Sequence, residues 1–131
     1  MATENSVLTE SYEAAEDLSD DQHRIVVLDT GKVRRPNSGA EVGLGVLQNA
    51  PESGGAAAVM LIGKSKIVLG ETVAINEWIK LEYVNATDAG KGMDADAALD
   101  LAMGRCLAGG DQDDLGEILL SGAVHQVNAA S

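Results

Sequence analysis

The segment from Gly45 to Ile62 constrains the fold more than any other part of the chain. It begins Gly-Val-Leu-Gln-Asn-Ala-Pro, continues through Gly54-Gly55, and ends in the uninterrupted apolar run Ala56–Ile62. Pro51 disfavours helix at the residue before it, and paired glycines mark a turn. An apolar run of strand length that follows a turn predicts a central strand covered on both faces. The segment therefore predicts a strand, a turn and a second strand.

Short apolar runs separated by turn residues recur along the rest of the chain. Fifteen glycines against two prolines indicate many turns, which favours short strands over long helices. One short helix is expected over Asp94–Ala102, with Asp94 or Asp96 as its N-cap. The fold class is therefore mainly β: a small β-barrel or β-sandwich of short strands with at most one or two short helices. The predicted strands are Arg24–Leu28, Val42–Leu47, Ala56–Ile62, Lys66–Leu69, Thr72–Ala74, Trp78–Leu81, Met103–Leu107, Glu117–Leu120 and Ala123–Val127.

The core of this chain must be built almost without aromatic side chains. Phe is absent, and aromatic residues make up 2% of 131 residues, a length that fits one domain. Aliphatic residues and Met must therefore fill the core at close packing. Trp78 is expected to anchor this core, with a buried interface as the alternative position. Cys106 lies in an apolar stretch and is expected to be a buried small hydrophobe.

The N-terminal segment differs in composition from everything that follows. The first 21 residues contain seven carboxylates and no lysine or arginine. We interpret residues 1–17 as an extended acidic arm and residues 18–131 as the packed β domain. The arm is either a solvated tail or a segment that docks across a partner, for example by adding a strand to an exposed sheet edge. Its apolar side chains are Val7, Leu8, Tyr12 and, at its border, Leu18.

The charge of the chain excludes several classes of partner. The formal net charge is −12, which repels phosphate backbones, and Arg34-Arg35 beside Lys32 is too small a cluster to reverse that field. We therefore expect no nucleic-acid partner. The longest apolar run is far shorter than a membrane span, and Met1 is followed by polar residues rather than by a signal sequence. We expect a protein made in a cytoplasm, with no membrane partner.

Motifs for phosphate, dinucleotide and calcium binding all fail at a required position. Gly63-Lys64-Ser65 lacks the glycine of a phosphate loop, because position 58 is alanine. Gly43-Leu44-Gly45 has Gln48 where a dinucleotide fingerprint needs glycine. Asp111–Asp114 is followed by Gly122 at the position where a calcium loop needs a bidentate glutamate. We expect no cofactor.

The sequence also contains no recognisable catalytic or metal-binding set. His23 and His125 are the two histidines, and neither has a second ligand at metal-binding spacing. Carboxylates are plentiful, but an acid/base pair needs a shared apolar pocket that the sequence does not reveal. We expect no enzyme activity, no catalytic residue and no metal site. A hydrolase whose carboxylates converge only in the fold is the remaining enzymatic alternative.

The order of several segments resembles the capsid cement, or head-decoration, proteins of tailed bacteriophages. Residues 45–51 are the most specific part of this resemblance, which covers roughly residues 17–120. The chain departs from the family pattern in a longer stretch between Gly92 and Met103 and in its acidic arm. The segments that carry the resemblance are Asp17–Gln22, Ile25–Leu28, Gly45–Pro51, Ile62–Val68, Gly104–Ala108 and Gly116–Leu120.

The resemblance implies a β-tulip-like domain that binds the outside of an expanded icosahedral head. Such a structural virion protein clips neighbouring capsomers together against internal DNA pressure, often as a homotrimer on local threefold axes. The implied partners are the major capsid protein and further copies of the chain, and the implied location is the outer surface of the virion. The acidic surface is expected to complement basic patches on the shell.

Two short segments are the candidate contacts with the capsid or with a neighbouring subunit. In the turn, Gln48 and Asn49 either satisfy backbone groups and determine the fold or touch the shell directly. The alternative function for the whole chain is a small non-enzymatic β-barrel binding module for a host-surface or carbohydrate partner. The candidate interface residues are Val7, Leu8 and Tyr12 in the arm and Gln48, Asn49 and Pro51 in the turn.

Overall fold

The computed structural model describes residues 5–96 and 100–126, and this part of the chain contains nine strands and no helix. The mainly β fold class is confirmed. Among these strands, β1 and β3 pair in parallel and the other strand pairings are antiparallel, and all nine belong to one continuous sheet. The strands are β1 Asn5–Ala14, β2 Ile25–Asp29, β3 Lys32–Arg34, β4 Gly45–Leu47, β5 Ala56–Val68, β6 Trp78–Leu81, β7 Gly92–Asp94, β8 Leu101–Ala108 and β9 Leu115–Gln126.

Five strands close into a ring, which we call the ring below. The sheet order runs β1-β3-β2-β4-β5, and β1 pairs again with β5 from Asn5↔Lys64 to Glu13↔Ala56. Every ring strand contributes to one apolar cluster, as expected where side chains alternate between the two faces of a strand. This ring core holds Ala14 of β1, Val26 of β2, Val33 of β3, Leu47 of β4 and Ala57 and Val59 of β5, together with Leu18.

The remaining strands form a second sheet layer, which we call the wing. It follows the order β5-β9-β8-β6-β7, with β5 shared between ring and wing. A second apolar cluster joins the inner face of the wing to the outside of the ring. Ile25 and Val27 belong to this cluster, whereas Val26 between them belongs to the ring core. The wing side chains of the cluster include Ile67, Ile79, Cys106, Ile118 and Leu120.

Strand β5 connects the two layers because it continues for 13 residues. The sequence predicted a break at residues 63–65, and this prediction was wrong. Gly63 instead lies inside the strand at φ +129°, where a Cβ would meet the backbone oxygen of Asn5 at 2.6 Å. A glycine accepts this conformation and the close approach of β1. The predicted strands Ala56–Ile62 and Lys66–Leu69 are therefore one bent strand.

Three other predicted elements differ from the structure. No helix forms over Asp94–Ala102 in its described part: Asp94 ends β7 and Leu101 begins β8, while residues 97–99 lie outside the described residues. Backbone pairing with neighbouring strands outweighs the local helix signal there. Ala123–Val127 is no separate strand, because β9 runs to Gln126, and residue 127 lies outside the described residues. Thr72–Ala74 makes a single bridge, Val73↔Gly110.

The two predictions for special core residues have opposite outcomes. Cys106 is fully buried, as expected, and burial raises the pKa of its thiol. Trp78 is 41% exposed, so the expectation that it anchors the core was wrong. The neighbouring Ile79 is fully buried, and alternation along β6 therefore turns Trp78 outward. Among the described residues, no helix is long and apolar enough to cross a membrane.

Candidate adhesive surfaces

The N-terminal arm lies on its own domain as an edge strand. β1 pairs with β5 along one side, but its other side meets β3 only at Glu13 and Ala14. The seven residues Asn5–Ser11 are all exposed. Among the described residues, no strand pairs with this stretch on its outer side. The arm thus presents backbone N–H and C=O groups to which another chain can add a strand.

The apolar candidates of the arm are separated into two groups. Val7 lies at an irregularity, because β5 pairs with Ser6 and Leu8 but gives Val7 no partner. Val7 is 75% exposed and Leu8 is 37% exposed. Tyr12 is half-buried and packs against the ring core. Val7 and Leu8 are therefore available for contact, whereas Tyr12 is mainly part of the fold.

The candidate residues of the turn are engaged in hydrogen bonds within the domain. The Gln48 side chain donates from Nε2 to the Val46 carbonyl at 3.0 Å and to Ser65 Oγ at 2.9 Å. Asn49 holds the next strand at two points. Its Nδ2 donates to the Ala56 carbonyl at 2.9 Å, and its Oδ1 accepts the Ala58 N–H at 3.0 Å.

Pro51 completes the attachment of the turn. It is buried, and its carbonyl accepts the Leu18 N–H at 2.9 Å. Gln48 and Asn49 therefore satisfy backbone groups of the domain, which is the first of the two roles considered for them. Tyr12 pairs with Ala57, so it lies at the same end of the ring as the turn, on the opposite side of β5. Val7 and Leu8 lie towards the other end, near Gly63, and the six candidates do not form one patch.

Arg34 and Arg35 line an open cleft of about 390 Å³. Arg35 also lines a neighbouring open cleft of about 410 Å³. Asp21 lines the second cleft with Asp20 and is almost fully buried. Burial raises the pKa of Asp21, although Arg24 and Arg35 each lie 3.5 Å from its carboxylate and oppose this effect. The two arginines fix Asp21 in place, so the cleft is an ion-paired surface.

The outer face of the wing is a surface that our sequence interpretation missed. One row of directly paired residues crosses four strands: Trp78 of β6, Arg105 of β8, Leu119 of β9 and Lys64 of β5. Trp78 and Leu119 are each 41% exposed, and Leu115, on the same side of β9, is 48% exposed. We call this surface, with Lys66 beside it, the wing face. The available sequence signal was the run Ile118-Leu119-Leu120, which places apolar side chains on both faces of a strand.

The basic residues of the wing face differ from all others in the chain. Among the described residues, neither Lys66 nor Arg105 has a carboxylate within 4.0 Å, and Lys64 reaches Glu117 only at 4.0 Å. The six other basic residues form ion pairs with carboxylates. These pairs join Arg24 to Asp21, Lys32 to Glu13, Arg34 to Asp29 and Glu41, Arg35 to Glu16 and Asp21, Lys80 to Asp100, and Lys91 to Asp88 and Asp113.

A group of carboxylates lies at the far edge of the wing, beside β6 and β7. We call Glu71, Glu77, Asp94 and Asp96 the wing edge. The Asp94 N–H donates to Glu71 Oε2 at 2.8 Å, and the Asp94 and Glu77 carboxyls share a hydrogen bond. Burial and this neighbour raise the pKa of Asp94 to about 7, while the same bond lowers the pKa of Glu77. In the described part of the chain, these carboxylates have no lysine or arginine within 4.0 Å.

The described residues contain exposed contact surfaces but no metal-binding group. Within residues 5–96 and 100–126, no group of three or more His, Cys, Asp and Glu side chains is arranged to hold a metal ion. The exposed features are an unpaired strand edge, a basic apolar face and an acidic edge. Features of these kinds can contact a protein surface through backbone pairing, apolar burial or charge.

Comparison with known proteins gives a likeness of fold but no match of sequence family. No protein-family model and no curated protein matches the chain. Among solved structures, the chain is similar to the head fiber gp8.5 N base of bacteriophage phi29, with a TM-score of 0.66 and 10% sequence identity. The match covers 92% of this chain and 98% of that one. The chain therefore has the fold of a phage head fiber base over nearly its full length.

Proposed function

We propose that this chain is a structural virion protein that binds the exterior of an expanded icosahedral phage head. It cements neighbouring capsomers against internal DNA pressure, and it acts as a homotrimer on local threefold axes without enzymatic activity. The observation that carries this proposal is the fold shared with a phage head fiber base over almost the whole of both chains. The resemblance of residues 17–120 to the cement family points to the same location.

The surfaces of the domain suit this function. A cement protein gains from many modest contacts, because repetition over a lattice multiplies them. The free side of β1 provides such a contact through main-chain hydrogen bonds, and exposed Val7 and Leu8 add apolar area. The partner of this edge is the major capsid protein. Gln48, Asn49 and Pro51 act indirectly, by holding the ring that carries β1.

The test is attachment of the purified protein to undecorated, expanded heads of a phage that encodes it. We expect the wild-type chain to co-sediment with the heads and to raise the temperature at which they lose DNA. A deletion of residues 1–11 should keep the fold and lose most of the binding. The deletion stops there because Ala14 belongs to the ring core and Tyr12 packs against it.

A matched control separates the arm from general effects of charge. Glu52 is exposed on the turn side of the ring, and Glu52→Lys should leave binding to the heads within about twofold, as expected for a rim charge. Absence of wild-type binding to expanded heads would reject the proposal. Binding to a host-surface protein or a glycan instead would favour the alternative binding module.

A further inference from the structure

The wing face holds three of the nine basic residues of a strongly acidic chain, Lys64, Lys66 and Arg105, together with one carboxylate, Glu117, opposite Lys66. The net charge is −12, and only 9 residues are basic. In the described part of the chain, six of the nine basic residues form ion pairs at 3.5 Å or less, whereas Lys64 reaches a carboxylate only at 4.0 Å. In the described part of the chain, Lys66 and Arg105 have no carboxylate within 4.0 Å, and they lie on a face that also exposes Trp78 and Leu119. Trp and Arg are the residue types that contribute most to binding at protein interfaces.

The wing edge is the complementary surface on the same molecule. Its four carboxylates lie close enough for Glu71 to bind the Asp94 N–H and for Glu77 to share a hydrogen bond with Asp94. Such a group is stabilised when a cation approaches it. The chain itself brings no lysine or arginine within 4.0 Å of the group in its described part. A basic face on another molecule would supply that cation.

We propose that copies of this chain associate head-to-tail, with the wing face of one copy packed against the wing edge of the next. The opposite charges of the two surfaces and their positions support a second copy as the partner of the wing face. Glu77 directly precedes Trp78, so the edge adjoins the face. Asp94 pairs with buried Ile79, which lies on the opposite side of β6 from Trp78, so the two surfaces point to different sides of the sheet. A contact between two different surfaces repeats from copy to copy and closes into a ring when the rotation allows it. The inference rests on the proposed function in one respect: the homotrimer proposed there sets how many copies the ring would contain.

The first experiment measures self-association of the full chain by sedimentation velocity and native mass spectrometry. We expect concentration-dependent oligomers in low salt that weaken as salt is added, because exposed charge pairs are screened. Trp78 is the only tryptophan, so its fluorescence emission should move to shorter wavelength as the oligomer forms and covers the wing face. A wild-type chain that stays monomeric up to about 1 mM, the weak end of specific protein contacts, would overturn the inference.

A charge-exchange pair then tests the two surfaces. The variant Lys66→Glu/Arg105→Glu makes the wing face acidic, and Asp94→Lys/Asp96→Lys makes the wing edge basic. Each variant alone should associate at least about tenfold more weakly than the wild type, because like charges then oppose each other. An equimolar mixture of the two should recover association, since each altered surface now has an opposite partner. Lack of recovery in folded variants would overturn the inference.

A matched control has the same change in total charge as the wing-edge variant. Glu10→Lys/Glu52→Lys alters two exposed carboxylates of the ring and should self-associate like the wild type. If it loses association as strongly as Asp94→Lys/Asp96→Lys, total charge rather than the wing edge drives the contact, and the inference fails.

Binding to expanded heads separates this inference from the proposed function. Oligomers that form without binding the heads would support the wing contact and reject the head-binding function. Binding to the heads by a chain that remains monomeric would support the head-binding function and reject the wing contact. If a monomeric chain loses head binding through Lys66→Glu/Arg105→Glu, the wing face contacts the shell rather than a second copy, and the inference is overturned.

Discussion

β1 and β4 both pair with β5, yet they have opposite relations to solvent. All three residues of β4 are buried, whereas the first seven of the ten residues of β1 are exposed. β4 lies between β2 and β5, while β1 has a neighbour on its outer side only at its last two residues. The difference shows that one strand supports the ring and the other extends its edge. Under the proposed function, β1 rather than β4 is the strand expected to attach to a partner.

The largest effect should come from adding a side chain in β4. In Gly45→Val the new Cβ would overlap the backbone oxygen of Met60, which cannot move without breaking the pairing of β4 with β5. We expect a loss of about 3–4 kcal/mol in the free energy of unfolding, measured by urea denaturation. Gly39→Val is the control, because a Cβ at Gly39 meets nothing within 4 Å. Equal stability of the two variants would contradict the supporting role of β4.

The next effect should come from the turn that follows β4. Asn49→Ala removes two hydrogen bonds to β5, one from Nδ2 to the Ala56 carbonyl and one to Oδ1 from the Ala58 N–H. The expected loss is about 2–3 kcal/mol in urea denaturation, because both backbone groups lose their side-chain partner. Asn37→Ala, in an exposed loop, should change stability by no more than about 0.5 kcal/mol. If Asn49→Ala left the free energy of unfolding unchanged, the alternative that Asn49 contacts the shell directly would be favoured.

Amide hydrogen exchange compares the two strands in the unaltered protein. Exchange of the backbone amides of Thr9 and Ser11 should need only local opening, because β1 is attached along one side and buries little. The backbone amides of Val46 and Leu47 should exchange only when the whole ring unfolds. We expect a difference of a few kcal/mol in opening free energy between the two strands. Equal protection would show that β1 is as firmly held as β4.

The smallest effect should come from the exposed apolar residue of the arm. Val7→Asp should change the free energy of unfolding by no more than about 0.5 kcal/mol, because the Val7 side chain is 75% exposed. The same variant should weaken attachment to expanded heads, since a new carboxylate replaces apolar contact area. Thermal denaturation and co-sedimentation measure the two quantities. A marked loss of stability would place Val7 in the fold rather than at the interface.

The sequence predicted those parts of the fold in which local pattern and tertiary packing agree. Trp78–Leu81 is a strand with the expected bounds, and the strand at Ile25 begins where the β-branched run begins. Satisfying backbone groups was one of the two roles considered for Asn49, and its side chain does so through two hydrogen bonds.

The failures occur where distant segments decide the outcome. Gly63 indicated a break, but the approach of Asn5 makes it the point at which β5 passes from ring to wing. The composition of Asp94–Ala102 favoured helix, but Asp94 pairs with Ile79 and Ala102 pairs with Lys80. Trp78 was expected inside because it is large and apolar, and the register of β6 places it outside. A single sequence contains no direct signal for any of these pairings.

The sequence by itself determined a small, mainly β domain, an aliphatic core and a strongly acidic surface, because these follow from composition and short-range periodicity. Only the tertiary structure decided where the charges lie relative to one another. Lys64, Arg105 and Trp78 are separated by up to 41 positions in the chain, yet register places them in one row across the wing. Strand pairing sets such neighbours through long-range hydrogen bonds, and local sequence does not encode which strands will meet.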